Sequence, residues 1–282
     1  MENMDGLTAY HDRVGREYDE NDEAARLDRE DPIEYAITTR YLQRYVPDGA
    51  IVADIGVGGG QYSELLARRG CRVHLVDVSQ RLLDTTVSRL QAAGLGERIA
   101  SVQRASAADL SPLPDAGCDV VLLLGPLYHL LTTEERRRAV TEAARILRPD
   151  GMVFAAGINL LTFLRDIIHN DPEEFAQRRD FFLGPLPRDG NLTKPDGQTA
   201  TMHLTTVGEL RGDLGVAFEE VTLAGVESFA SKSAEARAYL RASPEAKEVL
   251  LDLVERTGTT LEGLGVTSHY LYIGRHKTRR HV

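Results

Sequence analysis

The run Val52-Ala53-Asp54-Ile55-Gly56-Val57-Gly58-Gly59-Gly60 carries the clearest chemical signal in the chain. A strand-like apolar segment leads into it and a helix-like segment leaves it. Glycines at such a junction permit positive φ and let a ligand approach the backbone, while the helix start offers free N–H groups. Asp77 stands 21 residues beyond Gly56, at the end of the next strand-like run, Arg72–Asp77. A carboxylate in that place suits both hydroxyls of a ribose. Gln61 occupies the position where the dinucleotide fingerprint G-x-G-x-x-G/A needs a small residue, which disfavours a nicotinamide dehydrogenase.

The elements that must position these residues alternate strand with helix. Ala50–Asp54 reads as the first strand and a helix from Tyr62 stops at Gly70. Ser79 caps a second helix with the face Leu82, Leu83, Val87 and Leu90. Strands follow at Ile99–Gln103 and at Asp119–Leu124, the latter apolar throughout except for its first residue, as in a strand buried on both faces. A helix from Thr133 to Leu147 closes at Pro149-Asp150-Gly151, and Met152–Ile158 is the fifth strand. The rhythm predicts an α/β fold with a doubly wound, Rossmann-like, mostly parallel sheet. It breaks over 159–205, a stretch too long for a plain connection, which predicts a helical cap. It resumes with a helix over 206–214, a strand over Phe218–Val226, two helices split at Pro244, and a strand over His269–Gly274, for seven strands in all. Residues 1–46 read as a helical lid, 47–158 as the ligand-binding core, 159–205 as a cap or substrate insertion, and 206–282 as the C-terminal part of the sheet. In the lid, Leu7, Tyr10, Val14 and Tyr18 recur at helical spacing. Asp31 caps a second helix that starts at Pro32 and has the face Ile33, Ile37, Tyr41 and Tyr45.

Three motifs coincide: D-I-G-V-G-G-G at 54–60, V-D-V-S at 76–79, and A-R-I-L-R-P-D-G at 144–151. Together they resemble the class I S-adenosylmethionine-dependent methyltransferases, over about residues 34–158 and more loosely in the last two strands. The run L-L-G-P-L-Y-H-L at 123–130 resembles a bacterial, small-molecule subgroup. The resemblance implies S-adenosyl-L-methionine as cofactor. Gly56, Gly58 and Gly60 would pass beneath its methionine part, Asp54 would bond the amino group, Asp77 would take the ribose hydroxyls, and Val78 would lie against the adenine. Leu124 and Gly125 would lie beside the methionine carboxylate and the sulfonium, and Tyr18 would reach the cofactor from the lid. The family usually has Gly-Asp-Ala after the third strand, where this chain has Ala105-Ser106-Ala107. The adenine-binding carboxylate is missing, and Ser106, the Ala107 backbone or Asp109 would replace it.

Transfer from a sulfonium is a direct in-line displacement, so alignment and exclusion of water are the main tasks. A base is needed only where the acceptor carries a proton, and an imidazole serves near neutral pH. His129 and Tyr128, just past the fourth strand, are the candidates for base or hydrogen-bond donor, against the alternative that they fix the loop. Tyr10, His11, Asn159 and His203 are candidate substrate contacts. No metal-ligand spacing appears, so no metal is expected. The Asn/Asp-Pro-Pro-Tyr signature of nucleobase amine methylation is absent after the fourth strand.

Composition narrows the acceptor. The net charge of −10 over 282 residues disfavours a polyanion partner. Eleven acids and four arginines fall within residues 1–31, so most of the acidity belongs to the expected lid. It reads as a solvated face, with attraction of a cationic ligand as the alternative. No apolar run approaches the ~18 residues of a membrane span, and the N-terminus lacks a signal core. Cys71 and Cys118 read as buried thiols of a reducing, cytoplasmic compartment. The expected partners are a small-molecule substrate and at most a second copy of the chain, without nucleic acid or membrane. The expected activity is methyl transfer to O, N or C of that small molecule. The alternatives are a cofactor-binding auxiliary protein without transfer, or an RNA or protein methyltransferase.

Overall fold

The computed structural model describes residues 32–193, 200–240 and 243–277. The expected first lid helix, with Tyr10, His11 and Tyr18, lies outside the described residues. The chain continues as α1 (Pro32–Tyr45), β1 (Ile51–Ile55), α2 (Gln61–Arg68), β2 (Arg72–Asp77), α3 (Gln80–Ala92), β3 (Ile99–Arg104), β4 (Cys118–Leu123), α4 (Thr133–Ile146) and β5 (Leu147–Asn159). The region after β5 holds α5 (Leu160–Asn170), α6 (Pro172–Gln177), α7 (Arg179–Leu183), α8 (Pro185–Asp189), β6 (Asn191–Thr193) and β7 (Ala200–Thr205). The C-terminal part is α9 (Val207–Leu214), β8 (Phe218–Gly225), α10 (Ala234–Tyr239), α11 (Pro244–Gly258), α12 (Leu261–Val266) and β9 (His269–His276).

Strands β3, β2, β1, β4 and β5 run parallel in that order. β9 lies antiparallel beside β5, from Met152 opposite Arg275 to Ile158 opposite His269, and β8 pairs antiparallel with β9. Alternation along the central strands divides the core into two layers. Val52, Leu122, Phe154 and Ile273 pack under α1, α2 and α11. Ala53, Val121, Val153 and Tyr272 pack under α4 and α9.

Two expectations are corrected. The second helix of the expected lid, α1, is a layer of this core: Ile37 and Leu42 are fully buried, and Arg40 binds Asp252 at 2.8 Å and Glu248 on α11. The sheet has nine strands instead of seven, because the cap ends in a hairpin. Gly190, with φ +70°, turns the chain out of α8 into β6, which pairs antiparallel with β7. β7 then runs parallel to the tip of β5 through Ile158–Leu204 and Asn159–Thr205, and packs against the turn Pro126–His129 that follows β4. β6 is three residues long and has no apolar run, so periodicity could not reveal it. Residues 160–189 of the cap are mostly helical and pack on a cluster of Leu160, Phe182, Leu186 and Leu204.

Cys71 and Cys118 are free and buried. Among the described residues no helix is long and apolar enough to cross a membrane.

Candidate active site

A cleft of about 1010 Å³, partly open to solvent, lies at the C-terminal ends of β1, β2 and β4. This is the switch point of the sheet, where β1 has β2 on one side and β4 on the other. The glycine run forms its floor. Gly56, Gly58 and Gly60 have φ of +79°, +52° and +78°, a region that side chains with a Cβ rarely enter. A Cβ on Gly56 would meet the Pro126 ring at 2.9 Å, and one on Gly60 would meet Thr86 at 2.8 Å. A Cβ on Gly58 would meet nothing within 4 Å, because that residue faces the cleft. Thr86 on α3 donates to the Gly58 carbonyl at 3.3 Å and ties the turn to its neighbouring helix.

Asp54, next to last in β1, and Asp77, last in β2, line this cleft. Burial pushes the Asp54 carboxyl up to about 7, against the hydrogen bond from Ser63 and with help from the charge of Asp77. Burial also pushes Asp77 up to about 6, against backbone N–H groups of Ser79, Gly58, Val78 and Val57. Two desolvated carboxyls side by side call for a ligand that brings donors. An ammonium at Asp54 and vicinal hydroxyls at Asp77 would supply them, so these residues fit the cofactor that the motifs imply.

Of the expected cofactor residues, Asp54, Gly56, Gly58, Asp77, Val78, Ser106, Ala107, Leu124 and Gly125 all line the cleft, as do Tyr128 and His129. Gly60 does not; it shapes the turn and sits at the N-cap of α2. Ser106 Oγ accepts from the Ala108 N–H at 3.2 Å, the geometry of a turn residue. Asp109 is exposed, bonds the Ser111 N–H and does not line the cleft. The rings of Tyr128 and His129 meet edge to face at 4.7 Å on the far wall.

Asn159 and His203 do not line the cleft. Asn159 is buried as the N-cap of α5: its Oδ1 accepts from Leu161 N, and its Nδ2 donates to the Thr267 carbonyl at 2.9 Å. His203 bonds Asn191 Oδ1 at 2.9 Å and Glu209 Oε1 at 3.0 Å. It belongs to a buried ionic network in which Arg136 holds Glu209 at 2.7 Å and Asp213 at 2.8 Å. Arg136 also donates to the carbonyls of Leu130 and Leu131. The network therefore braces the loop after His129 against both α9 and the cap hairpin.

The sequence reading missed Glu34, Tyr62, Leu82, Pro126 and Leu130 as lining residues. Glu34 stands in the first turn of α1, a common place for an acid at any helix start, so its type carried no signal. It lies near His269 and Glu227, and ligand atoms of the three fall within 4.8 Å of one another. Metal-ligand spacing could not show this group, because its members are far apart in sequence.

Residues 53–155 match the methyltransferase domain family. The chain is 32% identical over 114 residues to the ubiquinone biosynthesis O-methyltransferase of Caulobacter vibrioides, covering 40% of this chain and 42% of that protein. It is 34% identical over 109 residues to the tRNA (carboxymethyluridine(34)-5-O)-methyltransferase of Mus musculus, covering 38% of this chain and 14% of that one. The chain thus spans less than half the length of either relative. Its fold resembles the N-methyltransferase NodS of Bradyrhizobium japonicum in complex with S-adenosyl-L-homocysteine, with a TM-score of 0.55, 16% identity, and coverage of 95% of this chain and 99% of that one. The match over residues 53–155 and the cleft agree on a methyltransferase domain, set in the Rossmann-like methyltransferase fold.

Proposed function

We propose that the chain moves a methyl group from S-adenosylmethionine to an O, N or C atom of a small-molecule acceptor. The observation that carries this reading is the pairing of Asp77 with the glycine turn in one cleft whose wall beyond β4 is Tyr128, His129 and Leu130. The bound cofactor supplies an activated sulfonium methyl. The protein's own task is to hold and to exclude water. Asp77 and the turn fix the adenosine end, and Asp54 fixes the amino group. Leu124, Pro126 and Leu130 make the remaining wall apolar. His129 takes the proton of a protic acceptor or donates a hydrogen bond to it, with Tyr128 packed against its ring.

A small acceptor is favoured because no lysine or arginine among the described residues lines the cleft, whereas an RNA acceptor would need a basic approach. The cap hairpin packed on the Pro126–His129 turn supports a limited acceptor volume. The free, buried cysteines are consistent with a reducing compartment. Incubation with methyl-labelled S-adenosylmethionine and fractionated small-molecule extracts, tRNA or protein tests the reading. Label should move into a small molecule, with S-adenosylhomocysteine released. Label in tRNA or protein would refute the acceptor class, and bound cofactor that never turns over would favour an auxiliary protein.

A further inference from the structure

Glu34 is a third carboxylate that lines the cleft with Asp54 and Asp77, and the cofactor placement proposed above gives it no role. It is 7% exposed and has its Oε2 3.6 Å from His269 Nδ1. The same ring nitrogen bonds Glu227. Glu227 is fixed in turn, accepting from Thr267 Oγ1 at 2.7 Å and from the His269 N–H at 2.9 Å. Burial acts to raise the Glu227 carboxyl, but the His269 charge and these hydrogen bonds outweigh it and hold the group below the usual carboxylate range. Two carboxylates share one imidazole, so even a protonated ring leaves the trio with excess negative charge.

The sheet order gives this charge a direction. Asp77 and Ser106 follow β2 and β3, on one side of β1. His269 opens β9 opposite Ile158 near the tip of β5, on the other side of β4. With the adenosine end over β2 and β3, Glu34 lies toward the end of the cleft where Tyr128 and His129 form the acceptor wall. Burial beside a cleft strengthens the attraction of a carboxylate for a cation and its repulsion of an anion.

We propose that Glu34, paired with the His269 ring that Glu227 fixes, is the acceptor-binding carboxylate, and that the acceptor presents a protonated amine to it. The proposal rests on the methyltransferase reading above. The ammonium is a recognition handle, and the methylated atom is a separate matter. The wild-type protein, saturated with S-adenosylhomocysteine, is titrated calorimetrically with two matched sets: tyramine, tyrosol and phloretate, and hexylamine, hexanol and hexanoate. The amine of at least one set should bind about tenfold or more tighter than its carboxylate. Glu34→Gln should erase that preference while the affinity for S-adenosylhomocysteine stays within about threefold. The wild-type ranking tests the charge preference even if the variant does not fold. Equal or tighter binding of the carboxylates, or no binding of either amine, would overturn the proposal. So would loss of S-adenosylhomocysteine affinity in Glu34→Gln, which would put Glu34 in the cofactor subsite. A stoichiometric divalent ion in the purified protein, held by Glu34, Glu227 and His269, would overturn it too. Failure of the wild type to bind S-adenosylhomocysteine at all would instead refute the methyltransferase reading beneath it.

Discussion

Ser63 Oγ donates to Asp54 Oδ2 at 2.6 Å, with Ser63 fully buried and Asp54 only 3% exposed. That bond is the protein's partial answer to burying a carboxyl at the end of β1, and it leaves Asp54 at about 7. Asp77 follows the same logic at about 6. Both acids therefore titrate well above their unfolded value of 3.8.

Such a shift has a definite sign for the cofactor-free protein. A carboxyl whose folded pKa is raised contributes stability that is full below its unfolded pKa and is lost as pH rises through the folded one. The contribution of Asp54 and Asp77 should thus fall between pH 3.8 and about 7. Ser63→Ala removes a bond to the ionised form and should cost about 1–3 kcal/mol near pH 8 and less near pH 6. Urea unfolding at both values checks this, and an equal cost at both would contradict it.

Ligand binding should run the opposite way, because an ammonium and ribose hydroxyls favour the ionised carboxylates. The affinity for S-adenosylhomocysteine should fall as pH drops from about 8 to about 5.5, by up to about tenfold per unit for each acid. Asp54→Asn should flatten the part of the profile near 7. Calorimetry in two buffers of different ionisation enthalpy should show proton release on binding near neutral pH.

Gly56→Ala separates backbone cost from steric cost. Gly49 and Gly56 share nearly the same φ, +75° and +79°, but a Cβ on Gly49 meets nothing within 4 Å and one on Gly56 strikes Pro126 at 2.9 Å. Gly49→Ala should cost about 1–2 kcal/mol from the left-handed backbone alone. Gly56→Ala should cost about 1–3 kcal/mol more and weaken cofactor binding, because Pro126 must move with the cleft wall. Thermal unfolding of both variants measures the difference.

Arg136 is 4% exposed and ties two carboxylates and two loop carbonyls. Arg136→Met leaves Asp213 and Glu209 without their main counter-charge and should destabilise by about 3–5 kcal/mol. With the loop after His129 released, methyl transfer should suffer more than cofactor binding. Comparison of kcat with the S-adenosylhomocysteine Kd checks that split.

The sequence showed the parts of the fold whose local and global demands agree. β2 has the bounds its apolar run predicted, and β4, apolar because both its faces are covered, differs by one residue at each end. Ser79 caps α3 through Leu82 N as its type suggested. Asp54, Asp77 and the glycines were legible because turn geometry and ligand chemistry demand the same residue types. Asn159 and His203 fall outside the cleft, and the sequence could not show this because polar residues near a sheet's C-terminal edge look alike whether they meet a ligand or a carbonyl. The β6–β7 hairpin escaped because β6 is only three residues long and six residues, among them a proline and a glycine, separate it from β7. Glu34 escaped because only tertiary packing brings a helix's first turn to His269.

Asp77 and the glycine turn together are the proposed S-adenosylmethionine site. Calorimetric titration of the wild type and of Asp77→Ala with S-adenosylhomocysteine tests it most directly. The wild type should bind one equivalent, and loss of two hydrogen bonds to a charged group, at about 1.5–3 kcal/mol each, should weaken the variant by about a hundredfold or more. An unchanged Kd in Asp77→Ala, or no binding by the wild type, would contradict the assignment.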